Sequence, residues 1–124
     1  MLYDKKWELD KVGKNMHEAA DLLEKKGWCR YFLKKSKWHV EPGAPDGQMC
    51  ILGVLGQVVA GNPYDLDDVK VEQAMVRVHK YLNLDDTFPF RQSQVVSWNN
   101  DNNRTQEEVV TALREAAYVK EKVE

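Results

Sequence analysis

The sequence predicts a mainly α fold: a single compact domain of about four helices with a small β-hairpin near residues 30–40. Three observations carry this expectation. Val71, Ala74, Met75, Val78, Tyr81 and Leu82 recur at helical spacing as one apolar stripe. Thr105-Gln106-Glu107-Glu108 reads as a capping box, in which the Thr105 hydroxyl accepts from the Glu108 N–H and the Glu108 carboxylate reaches back to the Thr105 N–H. The run from Met49 to Ala60 is apolar on nearly every side, as a helix enclosed by others should be.

The first helix is expected from about Asn15 to Lys26, with Asn15 and Glu18 as its cap pair and Gly27 as its stop. Its apolar face is Met16, Ala19, Ala20, Leu22 and Leu23. The second spans about Met49 to Ala60 and closes on Gly61-Asn62-Pro63. Each glycine inside a helix costs about 1 kcal/mol relative to alanine. Gly53 and Gly56 therefore imply a backbone or an aromatic ring packed closely against them. A strand is the competing assignment, because this run is short and rich in β-branched residues. The third helix is expected from about Leu66 to Leu82, with Asp65, Asp67 and Asp68 at the positive end of its dipole. The fourth begins after Thr105 and buries Val109, Val110, Leu113, Ala116 and Ala117; the stretch from Lys120 to Glu124 frays.

Two connections are long. In the first, Tyr31-Phe32-Leu33 is expected to pair with Lys37-Trp38-His39-Val40 across Lys35-Ser36 as the hairpin. In the second, 85–98, Phe88-Pro89-Phe90 is expected to plug a gap between helices. No repeat or low-complexity linker divides the chain, so one domain over 1–124, with its core at about 15–118, is expected.

At 43% hydrophobic and 31% charged residues the composition is that of an ordinary soluble globular protein. The net charge of −2 gives no global pull toward nucleic acid or anionic lipid. It conceals an asymmetry: residues 1–40 hold ten Lys/Arg against six Asp/Glu, and residues 41–124 hold eight against fourteen. The first residues have no apolar core of a signal peptide, and the longest apolar run is too short to span a bilayer. The expected setting is therefore cytoplasmic, without membrane attachment, with Cys29 and Cys50 reduced.

Four chemistries are open to these residue types. Cys29 and Cys50 are the only thiols, with His17, His39 and His79 as bases in principle, but none stands in a nucleophile motif. A zinc site from Cys29, His39, Cys50 and His79 has suitable ligand types with unsuitable spacing, since structural sites pair ligands a few residues apart. The Asn99 to Asn103 loop has Asp101 as its single acid, which suits turns better than a cation. The basic stretch Lys25, Lys26, Arg30, Lys34, Lys35 and Lys37 is interleaved with Trp28, Tyr31, Phe32 and Trp38, the composition of a contact surface. No metal or cofactor is expected.

Gly27-Trp28-Cys29, Asp46-Gly47-x-x-Cys50-x-x-Gly53, Ser97-Trp98-Asn99 and Arg104-Thr105-x-x-Glu108-Val109 follow one another in order. The series resembles an uncharacterised family of small proteins from actinobacteria and their phages. This chain departs from that pattern at Asn100, where the family more often has Asp, and in its basic 30–39 segment. The resemblance implies an actinobacterial or phage origin and a shared scaffold built on Cys50, Trp98 and the capped helix. It implies no activity, so no residue inherits a catalytic role.

The leading expectation is a non-enzymatic binding protein, a phage-encoded accessory factor that engages a host protein. Its contact residues would be Trp28, Arg30, Tyr31, Phe32, Lys34, Lys35, Lys37 and Trp38, since aromatic anchors carry most interface energy. Cys50, Gly53, Trp98, Asn99, Arg104, Thr105 and Glu108 are expected to be structural. Two other classes stand beside it: nucleic-acid or polyanion binding through the loop 25–39, and a Cys-dependent enzyme.

Overall fold

Asp10, rather than Asn15, opens the first helix. In a computed structural model, which describes residues 9–35, 47–84 and 91–119, α1 runs over Lys11–Lys26, and the Asp10 side chain accepts from the Gly13 N–H at 2.9 Å. Gly13 weakens the helical pattern and hides this first turn. It is tolerated because α5 ends against it: a Cβ there would lie 2.6 Å from the Ala117 carbonyl oxygen.

The run at 51–60 is a helix, not a strand. α2 spans Ile51–Ala60 and ends on Gly61 in the left-handed conformation. Its N-cap is Cys50, whose sulfur accepts from the Gly53 N–H at 3.4 Å. Backbone indeed crosses both internal glycines. A Cβ on Gly53 would fall 1.8 Å from the Leu33 carbonyl oxygen, and one on Gly56 would fall 2.7 Å from that of Asn62.

α3 covers Val69–Tyr81, starting later than Leu66 because Asp68 is the cap that accepts from the N–H groups of Lys70 and Val71. α4, Arg91–Asn100, is a fifth helix that the sequence pattern did not reveal. Its buried residues are Val95 and Asn99 alone, four apart, so it carries no apolar stripe. The chain reversal read over 99–103 therefore shortens to 101–104, where the Arg104 N–H donates to the Asp101 carbonyl at 3.0 Å. α5, Gln106–Ala116, begins with the capping box as expected: Glu108 N–H to Thr105 Oγ1 at 3.2 Å and Thr105 N–H to Glu108 Oε1 at 3.1 Å.

Among the described residues there is no strand. The expected partner of 31–33, Lys37 to Val40, lies outside them, as does Phe88-Pro89-Phe90. The segment 27–35 pairs instead with 47–50. Met49 is held from both sides, by parallel bonds that bracket Trp28 and antiparallel bonds that bracket Lys34. The distances are 3.1 Å for Cys29 N–H to Met49 O and 2.7 Å for Lys35 N–H to Gln48 O.

One buried cluster joins the helices through Met16, Leu23, Ile51, Leu55, Val78 and Leu113. Two arginines tie its margins. Arg77 of α3 grips the Asp10 carboxylate with two nitrogens and donates to the Ala117 carbonyl at 3.3 Å. Arg114 of α5 reaches Asp21, at 2.8 Å, and Glu24 on α1. No helix among the described residues is long and apolar enough to cross a membrane.

Candidate functional site

The two stretches that stand out in the sequence, 28–35 and 98–105, form one structure, and Asn99 joins them. Its side chain is fully buried at 0% exposure, and both of its ends are satisfied. Oδ1 accepts from the Trp28 indole N–H at 2.7 Å and from the Ile51 N–H at 3.0 Å. Nδ2 donates to the Cys29 carbonyl at 3.2 Å and to Asn100 Oδ1 at 3.1 Å. One amide thus fixes the end of α4, the start of the basic loop and the start of α2.

Arg30 adds a second clamp. Its guanidinium donates to the carbonyls of Asp101, at 2.9 Å, Asn102, at 3.2 Å, and Arg104. It also lies over the Trp28 ring, 4.6 Å from the centroid. Arg104 repeats the device one turn away: it sits 4.0 Å from the Trp98 ring centroid and donates to the Trp98 carbonyl at 3.0 Å. The same side chain pairs with Glu108 at 3.0 Å. That bond, with help from Thr105, holds the Glu108 carboxyl below its ordinary value.

Trp28 and Arg30 are therefore engaged within the molecule. Tyr31 is directed outward. It is 70% exposed, and its φ of 72° is a left-handed conformation that bulky side chains avoid. Asn100 Oδ1 fixes it there by accepting the Tyr31 N–H at 2.9 Å. Phe32 follows at 37% exposure, with the Lys35 ammonium 5.9 Å from its ring centroid. Lys34 and Lys35 are half-buried beside them. Lys37 and Trp38 lie outside the described residues.

Beneath this surface are the two cysteines, both buried and free. Cys29 Sγ donates to the Phe32 carbonyl at 3.3 Å. Burial, reinforced by the neighbouring Cys50, pushes the Cys29 thiol up to about 11, and burial also raises Cys50. Both are protonated at neutral pH. His79 bonds Gln94 at 2.5 Å, and His17 lies edge-on to Tyr118 and 3.3 Å from Arg114. Among the described residues no three His, Cys, Asp or Glu side chains converge as a metal site. A cleft of about 340 Å³ between α2, α3 and α4, lined by Leu52, Val71, Met75, Glu72 and Arg91, has neither Cys nor His among its described residues.

Sequence reasoning named Asn99, Arg104 and Thr105 as structural without showing what Asn99 holds. It missed the clamp role of Arg30 and the pinning of Tyr31 by Asn100. A polar residue at the buried phase of a ten-residue helix was the available signal, and it needed α4 to be recognised first.

No curated protein and no solved structure matches the chain. A family model does, over residues 9–119, which takes in the five described helices and the joined loops. The chain belongs to the family of unknown function DUF6197.

Proposed function

We propose that the protein is a non-enzymatic binding protein whose contact surface is the loop tip at Tyr31 and Phe32, flanked by Lys34 and Lys35. Tyr31 is the observation that carries this reading. An exposed aromatic residue in the left-handed region costs about 1–2 kcal/mol. Such strain persists where the surrounding structure over-determines it, and it concentrates at functional sites. Here Asn100, Asn99 and the Arg30 clamp supply that surrounding structure. A ring held in place before binding loses little freedom on contact, as an interface anchor should. Against a Cys-dependent enzyme stand two buried, protonated thiols, because the thiolate is the nucleophile.

The partner we propose is a protein of the host cell, engaged in the cytoplasm by a phage-encoded accessory factor. An origin in actinobacteria or their phages belongs to the same proposal. Polyanion binding is set against it on charge: Arg30 is committed to carbonyls, which leaves Lys25 and Lys26 at the end of α1 and Lys34 and Lys35 next to Phe32 as the described cations of that stretch.

The experiment is capture by the immobilised full chain from an actinobacterial lysate, at low and high salt, with and without nuclease. The proposal expects one protein retained at both salts and after nuclease. Retention that collapses at high salt, and is removed by Lys34→Glu with Lys35→Glu, overturns it in favour of a polyanion, whose binding falls steeply with salt.

A further inference from the structure

The glycine face of α2 places a second aromatic loop beside the first. Leu33 lies over Gly53, and Asn62 with Pro63 lies over Gly56, at distances that leave no room for a side chain on either glycine. Residues three apart on a helix share one face. Leu33 and the Asn62-Pro63 backbone therefore lie next to each other over one face of α2. Each loop presents aromatic surface: Tyr31 and Phe32 on the first, and Tyr64, 61% exposed, on the second. Tyr64 is also fixed by its backbone, whose N–H donates to Asn62 Oδ1 at 3.0 Å. The charges divide by loop, with Lys34 and Lys35 on one and Asp65 and Asp67 on the other.

We propose that this face is a two-fold self-association surface, in which Lys34 and Lys35 of one copy meet Asp65 and Asp67 of a second copy, with Tyr31, Phe32 and Tyr64 packed between. The inference rests on the reading of Tyr31 and Phe32 as contact residues; it adds the second loop, and a second copy that competes with the host protein for the same rings. A patch that is basic at one end and acidic at the other is complementary to itself after a half-turn. A copy docked without that turn would set like charges together. The charges select the register, and the rings supply the apolar area. Any other partner must bring the inverse pattern, which the chain itself already carries.

Sedimentation velocity of the purified full chain tests this, over roughly 1–300 μM to cover the weak end of specific interfaces. The expected result is a concentration-dependent shift from monomer to dimer. Lys34→Glu with Lys35→Glu should give a monomer, and so should Asp65→Lys with Asp67→Lys, because each sets like charges across the axis. A one-to-one mixture of the two variants should dimerise again, since both contacts in the mixed pair are of opposite sign. Circular dichroism confirms that these surface variants fold. A monomer at every concentration, growth beyond the dimer, charge variants that still dimerise, or a mixture that stays monomeric would each overturn the proposal. A monomeric wild type leaves capture of a host protein through Tyr31 standing, so the two readings fail separately.

Discussion

Asn99 and Cys29 show how much can depend on one side chain. Removing the Asn99 amide leaves the Trp28 indole N–H, the Ile51 N–H and the Cys29 carbonyl without their partner. Each buried polar group left unmade costs about 1–3 kcal/mol. Asn99→Leu, of similar bulk, should therefore lower unfolding free energy by about 3 kcal/mol or more in urea titrations. Cys29 makes a prediction in pH. Its pKa is 9.0 in the ordinary case and about 11 in the folded chain. The unfolded chain thus releases its proton first, so its stabilisation is complete below pH 9.0 and is lost as pH rises through about 11. Cys29→Ala should flatten that alkaline decline in thermal melts. The Trp-Asn pair marks Asn99 in the sequence, but three of its four partners lie 48 to 71 residues away. Spacing along a chain does not encode which distant donors one amide will meet.

At the scale of elements, local rules identified what local forces determine. The capping box of α5 is a short-range pattern and was readable from Thr105 and Glu108 alone. Thr105→Ala should cost about 1 kcal/mol in chemical unfolding. The Glu108 carboxyl titrates below its ordinary value, so its contribution is present above that value and is lost as pH falls through the lowered one. Helix content measured against falling pH should show the α5 start loosening there in the wild type but not in Glu108→Gln. The glycines of α2 were legible as crossing points, and they give a prediction of sign. Alanine is the better helix former by about 1 kcal/mol. At Gly53, however, a Cβ would stand 1.8 Å from a carbonyl oxygen, and overpacking of that kind costs about 1–3 kcal/mol. Gly53→Ala should destabilise the fold. α4 was illegible because its buried face is one valine and one asparagine, and hydrophobic period cannot register a helix held by hydrogen bonds. The hairpin was assigned to neighbours in sequence, whereas the described pairing of 33–35 is with 47–50, across an intervening segment.

Over the whole molecule, two stretches that read as separate features, 28–35 and 98–105, are joined by hydrogen bonds into one structure. The sequence marked them because both are rich in residues that packing alone does not require. It could not show which aromatics turn inward, since Trp28 and Tyr31 differ only in what they meet: Asn99 for the one, solvent for the other. The account stands on the claim that Tyr31 is strained for contact and not for stability. Tyr31→Gly tests this directly, because glycine adopts φ of 72° without strain and removes the ring. Urea unfolding of the variant, paired with capture from host lysate, is the deciding measurement. The account predicts stability unchanged or higher by up to about 1 kcal/mol, with capture lost. A clear loss of stability with capture intact would contradict it and make Tyr31 part of the scaffold.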